Sequence, residues 1–147
     1  MRLRGFASLF AVALATASAL ALPPDVDKAL RDAKYVYIRS ERKSGEFGKP
    51  SEIWFFYDDG SVWVGTRPSS WRVRRIRAGR PLARIAAGSV DGPSFEAKGA
   101  IVSDTAREQR LMDAYAKKYP DRWPGFATQF RDGFKSGDRV LVRYTPR

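Results

Sequence analysis

The sequence predicts a mainly β domain of the α+β class, a six-stranded antiparallel barrel that is closed or half closed and has a few flanking helices. Six segments have the aromatic and β-branched content of strands, and helical periodicity is confined to a few segments between them. The 147 residues, 44% of them hydrophobic, are enough for one domain with a core. Many short strands in a chain of this size are typical of barrels.

The first half of the chain is predicted to contain one helix and three strands. Residues 25–33 place their apolar side chains on one helical face, and residues 35–40 follow as a strand. Residues 53–57 and 62–66 are predicted to pair as a hairpin, because an Asp-Gly pair at 59–60 between aromatic and β-branched runs is a strong turn signal.

The second half is predicted to contain three strands and three helices. A short basic helix follows Ser69 or Ser70, which can cap it, and a glycine and a proline end it. The strands are predicted at residues 82–87, 94–102 and 139–144.

Two of those helices are predicted between the last two strands. One spans residues 104–119 and begins with a capping box formed by Thr105 and Glu108. The other is short and is indicated by phenylalanines four residues apart, at positions 126, 130 and 134. Within the strand at 94–102, Gly99 is predicted to mark a β-bulge. The residues of the longer helix that are predicted to face inward are Leu111, Met112, Tyr115 and Tyr119.

The composition excludes several kinds of chemistry. The chain has no cysteine and no histidine, and 27 Lys and Arg against 16 Asp and Glu give a net charge of +11. A disulfide, a cysteine nucleophile, a serine-histidine triad and most zinc sites are therefore excluded, and the sequence predicts no metal site. Any chemistry must use carboxylates, Tyr, Lys, Arg, backbone groups or a bound cofactor.

Residues 1–21 are predicted to form a secretory signal peptide. Arg2 and Arg4 precede an apolar run that ends in the small-x-small pattern of residues 19–21, and two prolines follow. The alternative is an uncleaved membrane anchor, although the run is short for a span of about 20 residues. We therefore expect a periplasmic or secreted protein whose mature chain starts near Leu22 and has no stable membrane span.

Residues 67–81, RPSSWRVRRIRAGRP, contain six arginines and no acidic residue. In a helix, Arg72 and Arg75 share one face near its start, where free backbone N–H groups and the helix dipole also favour an anion. Four explanations are open: a solvated basic face, a phosphate or other anion site, nucleic acid, and anionic lipid. We expect no nucleic-acid partner, because no known binding motif is present and the chain is predicted to be exported.

The order and spacing of four segments resemble the pyridoxamine 5'-phosphate oxidase-like split β-barrel superfamily, most closely its deazaflavin-dependent nitroreductase-like branch. The segments are YVYIRSERKSGEFGKPSEIWFFYDDG, SVWVGT with the basic helix after it, FEAKGAIVSD running into a helix that ends AKKYP, and VLVRYTP. The resemblance implies a six-stranded antiparallel split β-barrel over residues 22–147. It also implies a bound FMN or deazaflavin, oxidoreductase activity and a homodimer.

The resemblance further implies where the cofactor would bind. Its phosphate or polar tail would lie at the strand before the basic helix and at the helix start, and its ring near Trp54. The implied cofactor-binding residues are Lys49, Pro50, Ser51, Glu52, Thr66, Ser69, Ser70, Trp71, Arg72 and Arg75. No catalytic residue is implied, because a flavin performs the redox step itself.

Three functions remain open from the sequence. The first is an exported flavin- or deazaflavin-dependent oxidoreductase that acts on a small organic acceptor. The second is a cofactor-free split barrel that binds a small ligand, because flavins are made in the cytosol and a chain exported unfolded must collect its cofactor outside. The third is a basic surface-binding protein, which strong salt-dependent binding to polyanions would favour.

Overall fold

The structure, a computed structural model, describes residues 20–147, so the predicted signal peptide lies outside the described residues except for its last two positions. The elements in chain order are α1 (Pro24–Asp32), β1 (Val36–Ser40), β2 (Ser51–Ile53), β3 (Phe56–Asp58), β4 (Ser61–Thr66), α2 (Trp71–Arg77), β5 (Leu82–Ala87), β6 (Ser94–Val102), α3 (Thr105–Lys118), a 3-10 turn (Trp123–Gly125), α4 (Ala127–Ser136) and β7 (Val140–Pro146).

The strands form one antiparallel sheet in the order β2-β1-β5-β6-β7-β4-β3. The sheet curves into a half-barrel, and α1 to α4 pack around it. The predicted α+β class and the mainly antiparallel barrel are therefore confirmed, whereas the strand number is wrong: the described chain has seven strands, not six. None of the helices in residues 20–147 is long and apolar enough to cross a membrane.

The extra strand arises because the strand predicted at 53–57 is broken at Trp54 and Phe55. Their backbone groups bond to side chains of and beside α3 instead of to a neighbouring strand. The Tyr115 hydroxyl donates to the carbonyl of Trp54 at 2.8 Å, and the Phe55 N–H donates to the Tyr119 hydroxyl at 3.2 Å. The ammonium of Lys118 donates to the carbonyl of Phe55 at 3.1 Å. With these groups satisfied, the chain crosses from the β1 edge of the sheet to the β4 edge.

The hairpin between β3 and β4 is confirmed. Asp58 pairs with Ser61, and the two residues between them have positive φ, 53° at Asp59 and 64° at Gly60. A two-residue turn with both φ angles positive matches the right-handed twist of the flanking strands. The turn residues therefore fix the register of the β3–β4 pair.

Two hydrophobic clusters fill the interior. The first lies between the sheet and helices α1 and α2, with Val36, Ile38, Ile85 and Val73 among its fully buried members. The second is largely aromatic and joins α3 and α4 to the other side of the sheet. The predicted inward positions are confirmed for Leu111, Tyr115 and Tyr119, which are at most 3% exposed, while Met112 is half-buried.

Two local predictions are wrong. The N-cap of α3 is Asp104, whose carboxylate accepts from the N–H of Arg107 at 3.0 Å, so the capping box predicted from Thr105 and Glu108 does not form. Gly99 marks no bulge, because β6 pairs in continuous register with both neighbours around it. A Cβ at position 99 would lie 2.8 Å from Cδ1 of Ile76 and 2.9 Å from Cε1 of Tyr144. The glycine therefore allows α2 to lie close to the sheet.

Candidate functional site

A cavity of about 440 Å³ opens where the start of α2 faces the end of β1 and the loop that leads to β2. Its lining residues are Ile38, Ser40, Arg42, Lys49, Pro50, Ser51, Ser70, Trp71, Arg72 and Arg75. These come from three separate parts of the chain, which the β1–β2 and β1–β5 pairings bring to one end of the sheet.

The carbonyl of Ser40 joins the loop to the helix. It accepts from the N–H of Gly48 at 2.9 Å and from Nη1 of Arg75 at 3.0 Å. A Cβ at position 48 would lie 3.0 Å from that Nη1 and 3.2 Å from Nε of Arg42. Only a glycine lets the backbone lie this close to two guanidinium groups.

The cavity is strongly cationic. Arg42, Lys49, Arg72 and Arg75 line it, and no Asp or Glu is found among its described lining residues. The predicted short helix carries two of these arginines and is confirmed, from Trp71 to Arg77. Because α2 has only seven residues, the positive charge here comes chiefly from side chains and only in small part from a helix dipole. Such a site favours an anion.

The guanidinium of Arg72 is oriented by a hydrogen bond to β4. Its Nη1 donates at 3.1 Å to the hydroxyl of Thr66, the last residue of that strand, which is only 5% exposed. Nε of Arg72 and Oγ of Ser70 are buried and have no hydrogen-bond partner among residues 20–147. Ser70 precedes the helix but makes no capping bond with its side chain. Two polar atoms at this cavity are thus left with hydrogen-bonding capacity.

Tyr144 of β7 lies near Arg72 inside the core and does not line the cavity. Its side chain is 1% exposed. Burial raises the pKa of Tyr144 to about 12, and the nearby positive charge of Arg72 opposes that rise. The phenol therefore keeps its proton at neutral pH.

Trp71 forms an outer wall of the cavity. It is 67% exposed, unlike Trp63, which is buried in the core. The guanidinium carbons of Arg74 and Arg75 lie 5.3 Å and 5.4 Å from its ring centroid, within cation–π range. A large aromatic ring exposed beside a cationic cavity offers a planar contact surface.

Seven of the ten cofactor-binding residues implied by the resemblance lie together at this cavity, namely Lys49, Pro50, Ser51, Ser70, Trp71, Arg72 and Arg75. The other three lie beside it. Thr66 is behind Arg72, Ser69 borders a different cavity next to Arg67, and Glu52 accepts from the Tyr37 hydroxyl at 2.6 Å and faces a neighbouring groove.

The sequence reasoning missed Ile38, Ser40 and Arg42 as site residues. Arg42 belongs to the Arg-Lys-Ser-Gly loop that supported the family resemblance. The positive charge of this loop was the one sequence feature that could have indicated Arg42 as a site residue. Ile38 and Ser40 give no such signal, because only the pairing of β1 with β2 and β5 places them there.

The neighbouring groove encloses about 330 Å³ and differs in character from the cationic cavity. Trp54, Phe126 and Phe130 supply aromatic surface, and Arg67, Arg122 and Arg139 supply positive charge. Burial and the charge of Arg67 lower the pKa of Arg139, whose guanidinium carbon lies 4.3 Å from the centroid of the Phe130 ring. The two spaces share a wall, because Ser51 lines the cavity and Glu52 lines the groove.

Solved structures with the same fold resemble this chain at low sequence identity. The conserved hypothetical protein Rv2991 of Mycobacterium tuberculosis has a TM-score of 0.65 and 17% identity, covering 89% of this chain and 84% of its own. A candidate pyridoxamine 5'-phosphate oxidase of Listeria innocua has a TM-score of 0.58 and 14% identity, with coverages of 83% and 90%. An F420 reductase has a TM-score of 0.51 and 18% identity, with coverages of 86% and 96%. No family model and no curated protein matches the sequence.

The chain therefore has the split-barrel fold of the pyridoxamine 5'-phosphate oxidase-like superfamily. This confirms the fold that the resemblance of the four sequence segments implied. Its position in the deazaflavin-dependent branch stays a prediction, as do the roles of the individual site residues. Because one fold supports many functions, the function has to be argued from the cavity itself.

Proposed function

We propose that this protein is an exported oxidoreductase that binds FMN or a deazaflavin and transfers a hydride or electrons between that cofactor and a small organic acceptor. The observation that carries the proposal is the cationic cavity at the start of α2, where the resemblance implies that the cofactor binds. The likeness in fold to an F420 reductase supports it.

The residues at the cavity fit a phosphate group. Arginine donates bidentate, permanently charged hydrogen bonds to such oxygens, and a lysine adds a point charge. Oγ of Ser70 and Nε of Arg72 are buried without a partner in the described part of the chain, and buried polar groups in proteins are nearly always hydrogen-bonded. A phosphate or polar tail rich in oxygen atoms would satisfy both atoms.

When bound, the flavin or deazaflavin supplies the redox chemistry, so the protein needs no histidine or cysteine. The chain's own residues bind and orient the cofactor. Arg42, Lys49, Arg72 and Arg75 would hold its phosphate, and Thr66 fixes the direction of the Arg72 guanidinium. Pro50 and Ser51 would lie against the ring, with Glu52 and Trp54 at the neighbouring groove.

The neighbouring groove is the proposed place of the acceptor. Its lining of three aromatic side chains and three arginines, against one glutamate, favours a planar or apolar molecule that carries a negative charge. Because the groove adjoins the cavity at residues 51 and 52, an acceptor there would lie next to the ring. The groove arginines orient the acceptor and exclude part of the surrounding water.

Export to the periplasm or secretion is part of this proposal and rests on the leader pattern of residues 1–21. A homodimer is also proposed, on the resemblance alone. A cofactor-free protein that binds a small anion is the second candidate. It is favoured by the finding that Arg72 and Arg75 already donate to Thr66 and Ser40, so that only part of each guanidinium is free for a ligand.

Titration of FMN, a deazaflavin and inorganic phosphate into three variants tests the proposal. Arg72→Ala is expected to weaken binding by about 1.5–3 kcal/mol, which is typical of a hydrogen bond to a charged group. Arg42→Ala removes an exposed arginine of the cavity and should weaken binding with little effect on stability. Arg77→Ala removes an exposed arginine of α2 that does not line the cavity, and it should change little.

The variants also separate the candidates. Equal small losses from Arg72→Ala and Arg77→Ala would mean that the arginine-rich segment is only a basic surface, which would overturn both candidates. Phosphate binding that depends on Arg42 and Arg72, without binding of FMN or deazaflavin, would support the cofactor-free candidate. Because Arg72→Ala also leaves Thr66 without its donor, the stability of that variant is measured alongside.

A further inference from the structure

A separate cavity of about 360 Å³ lies between α1, β3 and α3. Most of its wall is apolar, and no acidic side chain is found among its described lining residues. Leu30, Arg31, Phe55, Phe56, Tyr57, Ala114 and Lys118 line it. Lys118 supplies the only amine, and the proposed redox function makes no use of it.

Lys118 lies in an environment that suits an uncharged amine. Its Nζ lies 3.3 Å from the centroid of the Phe55 ring and donates at 3.1 Å to the carbonyl of the same residue. No carboxylate of the described chain is within salt-bridge distance of it. An ammonium has three hydrogen atoms to donate, and one carbonyl oxygen is the single oxygen partner here.

The charged groups around the cavity do not stabilise the ammonium. Arg31 of α1 carries the same charge, and the carboxylate of Asp27 already binds Arg31 at 2.9 Å and the hydroxyl of Tyr57. Tyr119, next to Lys118, uses its hydroxyl in bonds to the backbone. Burial accordingly lowers the pKa of Lys118 to about 7, because the attraction of the Phe55 ring for a cation is weaker than the hydration that is lost.

We propose that Lys118 is a covalent binding site for small aldehydes that enter the cavity between α1, β3 and α3. The lone pair of Nζ forms a bond to the carbonyl carbon, the carbonyl π electrons move to the oxygen, and one N–H proton of the amine is transferred to that oxygen, which gives a carbinolamine. The hydroxyl group then leaves with the second N–H proton as water, and a neutral imine remains. No oxidant or reductant is needed.

The cavity favours aldehydes over other electrophiles. Imine formation converts the amine into another group that can remain neutral, which suits apolar walls made of Leu30, Phe55 and Phe56. Transfer of an acyl group would instead need donors for a developing oxyanion, and the described cavity offers only the guanidinium of Arg31, which is bound to Asp27. The available volume limits the ligand to a small molecule.

Reductive labelling of the full chain tests this site. The protein is treated with propionaldehyde and sodium cyanoborohydride at pH 7, and labelling of each lysine is followed by peptide mass spectrometry. Lys117, an exposed lysine one residue earlier in α3, is the internal control. At pH 7 about half of an amine with a pKa near 7 is unprotonated, against fewer than about one in 1,000 for an ordinary lysine. We expect labelling at Lys118 to be at least about tenfold faster than at Lys117.

Two further measurements complete the test, one at higher pH and one on a variant with a narrower cavity. At pH 9.5 the ratio of the two rates should fall several-fold, because exposed lysines then lose part of their protons as well. Ala114→Leu, which narrows the cavity, should slow labelling at Lys118 and leave Lys117 unchanged. Equal rates at pH 7, or a ratio that does not depend on pH, would overturn the proposal. A fast rate unaffected by Ala114→Leu would overturn the role of the cavity.

Discussion

Removal of one hydroxyl group, in Tyr119→Phe, is expected to destabilise the protein by about 2–4 kcal/mol. This hydroxyl donates to the carbonyl of Lys34 at 2.6 Å and accepts from the N–H of Phe55 at 3.2 Å. It therefore ties the end of α3 to the segment before β1 and to the crossing between β2 and β3. Burial raises the pKa of Tyr119, so the hydroxyl keeps its proton at any pH at which the protein is studied.

The size of the effect follows from the two bonds. Phe55 is fully buried, and a buried N–H left without an acceptor costs about 1–3 kcal/mol. The bond to Lys34 adds about 1 kcal/mol. Phenylalanine keeps the ring, which stacks on Trp54 at a centroid distance of 4.3 Å and an angle of 13°, so packing changes little. The loss should come from hydrogen bonding alone.

Urea unfolding followed by circular dichroism measures the loss, with Tyr115→Phe as the matched control. The Tyr115 hydroxyl donates to the carbonyl of Trp54 at 2.8 Å, and removal of that bond should cost about 1 kcal/mol. The midpoints should shift without a change in the m-value. A Tyr119→Phe variant no less stable than Tyr115→Phe would refute the assignment of the β2–β3 crossing to this hydroxyl.

Two further predictions concern stability. Gly99→Ala should cost about 1–3 kcal/mol, because its Cβ would press on Ile76 and Tyr144, whereas Gly125→Ala meets nothing within 4 Å and should be nearly neutral by thermal melting. The stability of the wild type relative to Lys118→Met should rise from pH 7 to pH 9. In that range the unfolded chain, with a lysine pKa of 10.5, holds a proton that the folded chain, with a pKa of about 7, has released. A pH-independent difference in urea midpoints would contradict the shifted pKa.

Elements with strong local signals were predictable from the sequence. The Asp-Gly turn, the short helix between Ser70 and Gly79, and the strands at 82–87 and 94–102 were predicted within one residue of their observed bounds. In each case turn chemistry, a β-rich run or helical spacing acts over a few neighbouring residues. Of these elements only the short helix carries residues of the candidate site, namely Trp71, Arg72 and Arg75, and the other predicted site residues came from the family resemblance.

The break at Trp54 and Phe55 could not be predicted locally. An apolar run of five residues predicts one buried strand, whereas the deciding interactions come from Tyr115, Lys118 and Tyr119, about sixty residues later. The two halves of the hydrophobic run become β2 and β3, which lie at opposite edges of the sheet. The side chains that cause this separation are distant in sequence, so periodicity does not reveal them.

A similar reason explains why some of the predicted site residues lie beside the cavity. Ser69 and Ser70 are equally good cap candidates in sequence, yet one position decides whether the side chain faces the cationic cavity or the space beside Arg67. Thr66 lies next to the site in sequence but ends a buried strand, so its hydroxyl holds Arg72 and lines the neighbouring groove. Side-chain direction follows from the fold, and local pattern alone does not give it.

The central claim is that the cavity formed by Arg42, Lys49, Arg72 and Arg75 binds the phosphate of a flavin-type cofactor. Calorimetric titration of FMN and of riboflavin, which lacks the phosphate, into the chain that begins at Leu22 tests it most directly. FMN should bind at least about tenfold more tightly than riboflavin, and Arg72→Ala should remove most of that difference while Arg77→Ala preserves it. Equal affinity for FMN and riboflavin, or a difference that Arg72→Ala leaves intact, would contradict the claim.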